Sequence, residues 1–364
     1  MENKTLQLLK QIERALESGQ MKTEDIPVQD IYSCCAHEMM LNRMWYDSKE
    51  SFDNSIERLA VTIELISDNP RAVLDVCILC MELMPKPSKY QFSSSYWKQQ
   101  SGSRYGEEAE AVFSYIEKNE CVNVFNYEFS KKYAGMNIEV FMDEASGHYY
   151  VMFEGKRMYF PIGWETERIR EYCVGIYMEQ DRQSPHCYYD EEYGVHEGDV
   201  VIDGGTAEGN FALNVIDKAK KIYLVEAEEE WVETLNLTFS EYKDKVVIVN
   251  GFLDEKTEQN HYSLADIATE EVNYVKMDIE GFERCVLRGA EDMLVNANNL
   301  RMAICSYHCN GDYEWITDYL FSLGYATKNS HGYMFPEWEV SAAANCELRR
   351  GLVFAKKGKG GRNV

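Results

Sequence analysis

The chain has 364 residues, a length that suits two domains, and hydrophobic residues make up 45% of it, enough for a buried core. Its net charge of −25 repels phosphate backbones and anionic lipids, so we expect neither nucleic acid nor a membrane surface as a partner. The 11 cysteines follow no framework spacing, the N-terminus lacks the apolar core of a signal peptide, and no long apolar window occurs. These features predict a soluble, cytoplasmic protein.

Residues 1–134 are predicted to form a mainly helical N-terminal domain. Apolar residues recur at three- and four-residue spacing from Leu6 to Leu16, and Gly19 is placed to end that helix. Further helices are predicted at 55–66, from Pro70 to about residue 84, and at 107–118, with a loop that contains Pro85, Pro87 and 93–95. The pair Cys77 and Cys80 lies in an apolar helical run, which favours core packing over metal or redox use.

Residues 135–195 are predicted to form a β-hairpin and a connecting helix that lead into the core. The segments 138–142 and 149–153 are β-prone with a turn between them, and a third short strand at 157–160 ends at Pro161. A helix at 165–179 follows, and then a polar and aromatic loop.

From Asp199 onward, seven apolar segments alternate with helical stretches. The predicted strands are 200–203, 221–226, 246–250, 274–278, 300–306, 325–328 and 351–356, and the main helices are 229–241, 281–297 and 312–323. This alternation predicts an α/β domain at 196–358, with a Rossmann-like, mostly parallel seven-stranded sheet covered by helices on both faces. Residues 359–364 are predicted to be a flexible tail. Ligands of such sheets bind beyond the carboxyl ends of the strands.

A glycine turn follows the first of these strands. Its pattern, Asp203-x-Gly205-x-x-x-Gly209, is not the dinucleotide fingerprint G-x-G-x-x-G, because Ala207 stands where the middle glycine would be. Asp203 and Glu208 also disfavour a pyrophosphate at this turn. The pattern is instead common in S-adenosylmethionine enzymes, and a structural turn without a ligand is the alternative.

The next two strands end in residues suited to a nucleoside. Glu226 ends the second strand, 23 positions after Asp203, where an acid can accept hydrogen bonds from ribose hydroxyls. Asn250 and Gly251 end the third strand, at a position that would border the adenine of a bound nucleoside. The alternatives are that Glu226 is an ordinary solvent-exposed acid and that Asn250 and Gly251 form a plain turn.

A carboxylate cluster follows the fourth strand: Asp278, Glu280 and Glu283 surround Gly281. In an extended segment Asp278 and Glu280 point the same way, and two like charges require a compensating cation or donors. A sulfonium, an ammonium group or a metal ion would serve. Helix capping explains one of these carboxylates comfortably but not three.

The fifth strand ends at Ser306, Tyr307 and His308, beside the carboxylates in a parallel sheet. An imidazole can remove a proton from an attacking hydroxyl, so His308 is a candidate general base. His186, in the loop before the first strand, could close the same pocket, although a simple loop contact is favoured. We assign no metal ligand; Asp278, Glu280 and His308 leave metal dependence open to a chelator assay.

Three blocks of residues 199–356 resemble the FkbM-type methyltransferases, a family of S-adenosylmethionine-dependent O-methyltransferases. V-I-D-G-G-T-A-E-G at 201–209 is similar to the family's V-I-D-x-G-A-N-x-G, and K-M-D-I-E-G-F-E at 276–283 to K-x-D-I-E-G-x-E. His308 and L-F-S-L-G-Y at 320–325 are similar to its histidine and its closing L-x-x-x-G-Y. The sequence departs from the family at Thr206-Ala207, where the family prefers Ala-Asn.

The resemblance implies S-adenosylmethionine as the cofactor and methyl transfer to a hydroxyl of a sugar or another polar metabolite. The expected cofactor-binding residues are Asp203, Gly205, Gly209, Glu226, Asn250, Gly251 and Asp278. The expected catalytic residues are Asp278, His308 and Glu280, with Asp278 or His308 as general base. An NAD-dependent oxidoreductase and a non-catalytic nucleoside-binding or interaction protein are the alternatives. The N-terminal half matches no family that we can name, and it is a candidate for acceptor recognition or self-association.

Overall fold

The computed structural model describes residues 4–41, 49–84, 89–339 and 345–357. Pro85, Pro87 and the tail at 359–364 therefore lie outside the described residues. The chain divides into two compact units, the first formed by Met1–Val124 and Phe335–Leu348 and the second by Phe125–Met334 and Arg349–Val364. None of the helices in the described ranges is long and apolar enough to span a membrane.

The first unit is built from helices. They are α1 Lys4–Glu17, α2 Val28–Leu41, α3 Lys49–Ile66, α4 Pro70–Leu83, α5 Ser94–Ser101 and α6 Ala109–Asn119. The apolar faces of α1 to α4 share one core, in which Leu9, Leu74 and Cys77 are fully buried. All 11 cysteines are free, and Cys77 and Cys80 pack in or against this core, as predicted.

Two helices of the first unit are absent from the sequence prediction. The run of serines assigned to a loop begins α5, because the Ser93 hydroxyl accepts a hydrogen bond from the backbone N–H of Tyr96 at 3.2 Å. Serine is a favoured residue at this capping position. The other missed helix is α2, in which apolar and polar residues are less regularly spaced.

The second unit begins with a small antiparallel sheet. Its strands are β1 Val140–Asp143, β2 His148–Phe153 and β3 Lys156–Tyr159, in the order β1-β2-β3, and α7 Thr166–Glu179 follows. The predicted hairpin, third strand and helix are thus present, with bounds shifted by a few residues. Phe153, Met158 and Ile169 are buried in the same core as residues of the large sheet.

The large sheet has seven strands. They are β4 Val200–Gly204, β5 Lys221–Glu226, β6 Val246–Asn250, β9 Tyr274–Met277, β10 Arg301–Cys305, β11 Tyr325–Asn329 and β12 Leu352–Lys357. Their order is β11-β12-β10-β9-β4-β5-β6. Six of these strands run in the same direction, and β12 runs antiparallel to them. This mixed sheet is that of a methyltransferase-like α/β fold, and all seven predicted strands are confirmed.

Helices cover both faces of this sheet. They are α8 Asn210–Val215, α9 Glu229–Thr238, α10 Leu264–Ile267, α11 Glu283–Gly289, α12 Glu291–Asn296 and α13 Asp312–Ser322. Val201 belongs to the core on one face, while its neighbours Val200 and Ile202 belong to the core on the other. Strands buried on both faces need continuous apolar runs, which is what the sequence provides.

Two elements differ from the sequence prediction. The helix predicted at 281–297 is two short helices, and Gly289 ends the first where the backbone of Glu255 packs so closely that a Cβ would overlap it. A parallel pair, β7 Phe252–Asp254 and β8 His261–Ser263, follows β6 and is absent from the prediction.

The domain boundaries also differ. The predicted segment 135–195 does not stand apart but belongs to the second unit, because its strands and helix share the core of the large sheet. Residues 335–348, predicted within the methyltransferase domain, belong to the first unit. Local patterns do not reveal that a late segment packs with an early one.

Candidate functional site

A cavity of about 750 Å³ lies at the carboxyl ends of β4, β5, β6 and β9, and one face of α7 closes it. This volume is within the range of roughly 300–1,000 Å³ that small-molecule sites show. Gly205, Glu226, Gly251, Asp278 and Glu280 line the cavity, so the structure brings these sequence-predicted residues together. The others, Asp203, Gly209, Asn250 and His308, are not among the lining residues.

The glycine turn brings backbone to the floor of the cavity. Gly205 has a φ of +69°, and a Cβ there would overlap the backbone oxygen of Asp278, so only glycine permits this contact between two strand tips. Ala207 also has a left-handed backbone, with a φ of 47°, so the turn has the conformation that a glycine would adopt. Gly209 opens α8 and packs against the ring of Phe239 instead of lining the cavity.

Glu226 is held rigidly at the tip of β5. Its Oε2 accepts a hydrogen bond from the backbone N–H of Ala207 at 2.8 Å, and its Oε1 accepts from Ala227 and Glu228 at 2.7 and 2.8 Å. Two carboxylate oxygens offer about four acceptor sites, so acceptor capacity is left for a ligand hydroxyl. Glu226 thereby ties the glycine turn to the tip of β5.

Asp203 lies behind the cavity, where it pairs with a buried lysine. Lys276 Nζ is 3.0 Å from Asp203 Oδ1 and donates to the backbone oxygen of Gly205 at 2.6 Å. Burial opposes its charge, but the carboxylates of Asp203 and Asp278 raise the pKa of Lys276 above its usual value. Asp203 thus acts on the turn through Lys276, a cavity-lining residue to which the sequence analysis gives no role.

Asp278 is the centre of a dense network of donors. Its Oδ2 accepts from the Tyr188 hydroxyl at 2.6 Å and lies 3.3 Å from His186 Nε2. Its Oδ1 accepts from the Tyr307 hydroxyl at 3.1 Å and lies 3.2 Å from His308 Nε2. Burial opposes ionisation, but the two imidazoles hold the pKa of Asp278 well below its usual range. A carboxylate so occupied is a weak proton acceptor.

His308 bridges two carboxylates and stands behind Asp278. Its Nδ1 is 3.0 Å from Glu283 Oε1, and its side chain is 7% exposed. Burial opposes a charged ring, but Asp278 and Glu283 raise the pKa of His308 to about 10. A ring that is protonated at neutral pH cannot take up another proton. These contacts argue against the general-base role that the sequence analysis gives to Asp278 or His308.

This ion pair makes a pH-dependent contribution to stability. Because the pKa of His308 is higher in the fold than its unfolded value of about 6.5, its contribution is complete below that pH and disappears as the pH rises towards 10. We expect the difference in unfolding free energy between the native protein and His308→Gln to be largest near pH 6 and to shrink steadily towards pH 10. Urea unfolding at several pH values measures it.

His196→Gln is the matched control, because burial lowers the pKa of His196. The difference in unfolding free energy between the native protein and His196→Gln should therefore not decline above pH 7. A His308→Gln difference that stays constant across this range would contradict the assigned ion pair.

Two further residues lie differently from their prediction. Glu280 does not continue the strand: β9 ends at Met277, and Glu280 takes a left-handed backbone with a φ of 56°. Its side chain is 91% exposed at the mouth of the cavity, 3.7 Å from His308 Nε2, so the argument that it points with Asp278 from an extended segment is wrong. Asn250 is exposed at the end of β6, and only its neighbour Gly251 lines the cavity.

The sequence analysis misses the wall that α7 contributes. Tyr172 and Glu179 lie on one face of this helix and line the cavity, together with Glu208 from the glycine turn. The Tyr172 hydroxyl donates to Glu208 Oε2 at 2.8 Å, and burial raises the pKa of Glu208 to about 7. In the sequence, the helical spacing of Tyr172, Ile176 and Glu179 indicates that they share one face of α7. The same spacing is typical of any helix face that packs against a core, so it does not by itself predict a cavity wall.

Two triplets among the described residues have the spacing of metal ligands. They are His186, Asp278 and Cys305, and Asp278, Glu283 and His308. In the second triplet a protonated imidazole already lies between the two carboxylates, 3.2 Å from Asp278 and 3.0 Å from Glu283, where a metal ion would have to lie. In the first, His186 and Tyr188 satisfy the carboxylate of Asp278. We therefore identify no metal ligand among them.

The seven-stranded mixed sheet and the cavity at its edge are those of a methyltransferase-like α/β fold. In agreement with this, the model of the methyltransferase FkbM domain matches residues 165–333. This part of the chain matches the FkbM methyltransferase family, so the resemblance carried by its motifs is confirmed.

Solved structures give weaker likenesses. A methyltransferase FkbM from Methylobacillus flagellatus KT is 18% identical over 51% of this chain and 54% of its own, with a TM-score of 0.38. A precorrin-6y C5,15-methyltransferase from Geobacter metallireducens GS-15 is 10% identical over 46% and 84%, with a TM-score of 0.33. A methyltransferase from Pyrococcus furiosus is 14% identical over 51% and 83%, with a TM-score of 0.32.

The chain thus spans about half the length of the first of these proteins. Likenesses of this size do not establish a shared activity. No curated protein matches the chain significantly.

Proposed function

We propose that this protein is an S-adenosylmethionine-dependent O-methyltransferase that acts on a hydroxyl of a sugar or another polar metabolite. The observation that carries the proposal is the single cavity lined by Gly205, Glu226 and Asp278 from three neighbouring strand tips. The family match supports it independently.

The residues of the cavity fit this cofactor. Gly205 presents bare backbone to the cavity and, without a Cβ, lets the backbone of Asp278 pack close beside it, and Glu226 stands where ribose hydroxyls can donate to it. Bound S-adenosylmethionine supplies an electrophilic methyl group. Asp278 offers a fixed negative charge to the sulfonium end, and the cavity aligns the acceptor oxygen for in-line attack, which is the main source of catalysis in such transfers.

The charge of the cavity favours a small acceptor over a nucleic acid. Seven carboxylates line it, and its lysine, Lys276, is paired with Asp203. These seven are Glu179, Glu208, Glu226, Glu228, Asp254, Asp278 and Glu280. A phosphate backbone would meet repulsion here, because no lining cation is left to neutralise it.

The proposal is tested first by isothermal titration with S-adenosylmethionine, with NAD as the comparison ligand. We expect binding of S-adenosylmethionine and none of NAD; the reverse result refutes the proposal in favour of an oxidoreductase. A panel of sugars, polyols and other hydroxylated metabolites is then incubated with the protein and cofactor, and mass spectrometry detects added methyl groups. Binding without transfer to any compound favours a non-catalytic protein.

Replacing Glu226 with Gln should weaken cofactor binding by about 10- to 100-fold, the effect of losing charge-assisted hydrogen bonds. The amide replaces one acceptor oxygen with a donor that faces backbone N–H groups. The contact with the ribose should therefore weaken, and the glycine turn should lose a hydrogen bond that holds it. Isothermal titration measures the change. Glu230→Gln, an exposed carboxylate on α9, is the control and should bind normally. Equal affinities in the two variants would remove Glu226 from the cofactor site.

A further inference from the structure

Transfer of a methyl group to a hydroxyl leaves a proton that a base must accept. Asp278 accepts two tyrosine hydroxyls and adjoins two imidazoles, and His308 is held as a cation behind it. The proposed reaction therefore needs a base that faces the cavity and has free acceptor capacity.

Glu179, at the end of α7, has these properties. Its side chain is 43% exposed and lines the cavity, and its nearest ionic neighbour within the described parts of the chain is His186, 3.8 Å away. Glu208, the other candidate on this wall, is 5% exposed and its carboxylate already accepts the Tyr172 hydroxyl. Glu179 is thus the carboxylate on this wall that can meet an acceptor.

His186 joins Glu179 to Asp278. Its Nε2 is 3.3 Å from Asp278 Oδ2, and its Nδ1 faces Glu179 Oε2 at 3.8 Å. That Nδ1 is buried and has no hydrogen-bond partner among the described residues, although the His186 side chain is only 4% exposed. A buried polar nitrogen without a hydrogen-bond partner is unfavourable and calls for an explanation, of which a catalytic role is one.

We propose that Glu179 is the general base of the methyl transfer and that His186 orients it through Nδ1. The inference rests on the proposed O-methyl transfer. In the step, Glu179 removes the proton of the acceptor hydroxyl as the acceptor oxygen bonds to the methyl carbon. The carbon–sulfur bond breaks, sulfur keeps its electron pair, and the products are a methyl ether and S-adenosylhomocysteine. Glu179 returns its proton to water, which restores the carboxylate.

The surroundings of Glu179 tune its basicity. Burial raises its pKa, the neighbouring His186 and Lys276 oppose this rise, and Asp278 reinforces it. A carboxyl whose pKa is raised is a better base near neutral pH than an ordinary one. The titratable groups that face Glu179 are His186, Asp278, Lys276, Glu208, Tyr172 and Tyr307.

The kinetic test compares Glu179→Gln with Glu171→Gln, an exposed carboxylate on the same helix that does not line the cavity. The acceptor is the hydroxylated compound that the native protein methylates best in the panel. We expect Glu179→Gln to lower kcat about hundredfold. It should also abolish the decline of rate towards acid pH, with cofactor affinity unchanged. If Glu179→Gln lowers kcat by less than fivefold, or if its rate still declines towards acid pH, the assignment is overturned. Glu171→Gln should match the native protein.

A thiol analogue of the same acceptor separates a base from a residue that merely shapes the cavity. A thiol, with a pKa of about 8.5, is already a few per cent ionised near neutral pH and is intrinsically a strong nucleophile, so it needs a base much less. Glu179→Gln should lose little activity with the thiol and most of its activity with the hydroxyl. Equal losses with both acceptors would show a structural role and refute the inference.

A second measurement needs no acceptor. The carboxyl carbon of Glu179 is followed by ¹³C NMR in protein saturated with S-adenosylhomocysteine, and its signal is assigned by its absence from Glu179→Gln. We expect a titration midpoint above the ordinary glutamate value of about 4.3; a midpoint at or below it overturns the inference. Failure of S-adenosylhomocysteine to bind would refute the proposed function instead, so the two failures are distinguishable.

Discussion

Asp278→Asn is expected to lower turnover by about 10²- to 10³-fold, the range seen when a group that stabilises developing charge is removed. The carboxylate faces the proposed sulfonium end and accepts hydrogen bonds from Tyr188 and Tyr307. An amide removes the charge and points an N–H at one of these donors. It also leaves His186 and His308 without their shared counter-ion. Initial rates at saturating cofactor measure the effect.

Asp244→Asn, an exposed aspartate outside the cavity, serves as the control and should keep native rates. Far-UV circular dichroism shows whether the fold of Asp278→Asn is intact. Near-normal turnover in a folded Asp278→Asn protein would refute any part for this residue in the reaction.

Lys276→Met should destabilise the second unit by about 3–5 kcal/mol, the usual effect of removing one partner of a buried ion pair. Asp203 is fully buried, and the methionine leaves its carboxylate without a compensating charge. The backbone oxygen of Gly205 also loses its donor, so the glycine turn should loosen. Urea unfolding followed by tryptophan fluorescence measures the loss, and cofactor titration measures the effect on the turn.

The double variant Asp203→Asn, Lys276→Met separates the charge effect from the loss of packing. Because it leaves no buried charge unpaired, it should recover part of the lost stability although it carries one more substitution. A double variant that is less stable than Lys276→Met would contradict the view that the unpaired carboxylate causes the loss.

The position of the cavity follows from local sequence features. Apolar runs that end in Asp203, Glu226 and Asp278, separated by helical stretches, predict neighbouring parallel strands whose tips share one edge. Two of these residues line the cavity, while Asp203 is fully buried within β4, one residue before that strand ends at Gly204.

The assignment of a base shows the limit of this reasoning. An aspartate and a histidine at adjacent strand tips indicate acid–base chemistry, yet the protonation of each depends on which donors and acceptors surround it. The partners of Asp278 come from residues 90 positions before it and 29 after it, and the second carboxylate beside His308 comes from α11. No local pattern contains this information.

By itself, the sequence determined the seven strands, the resemblance to a known family and the edge of the sheet where the cavity opens. It did so because apolar periodicity and glycine turns act over a few residues. Only the tertiary structure decided that Lys276 neutralises Asp203, that His308 is held as a cation, and that Glu179 faces the cavity from a helix that precedes the sheet. These properties depend on burial and on charges brought together from distant parts of the chain, and both exist only once the chain has folded.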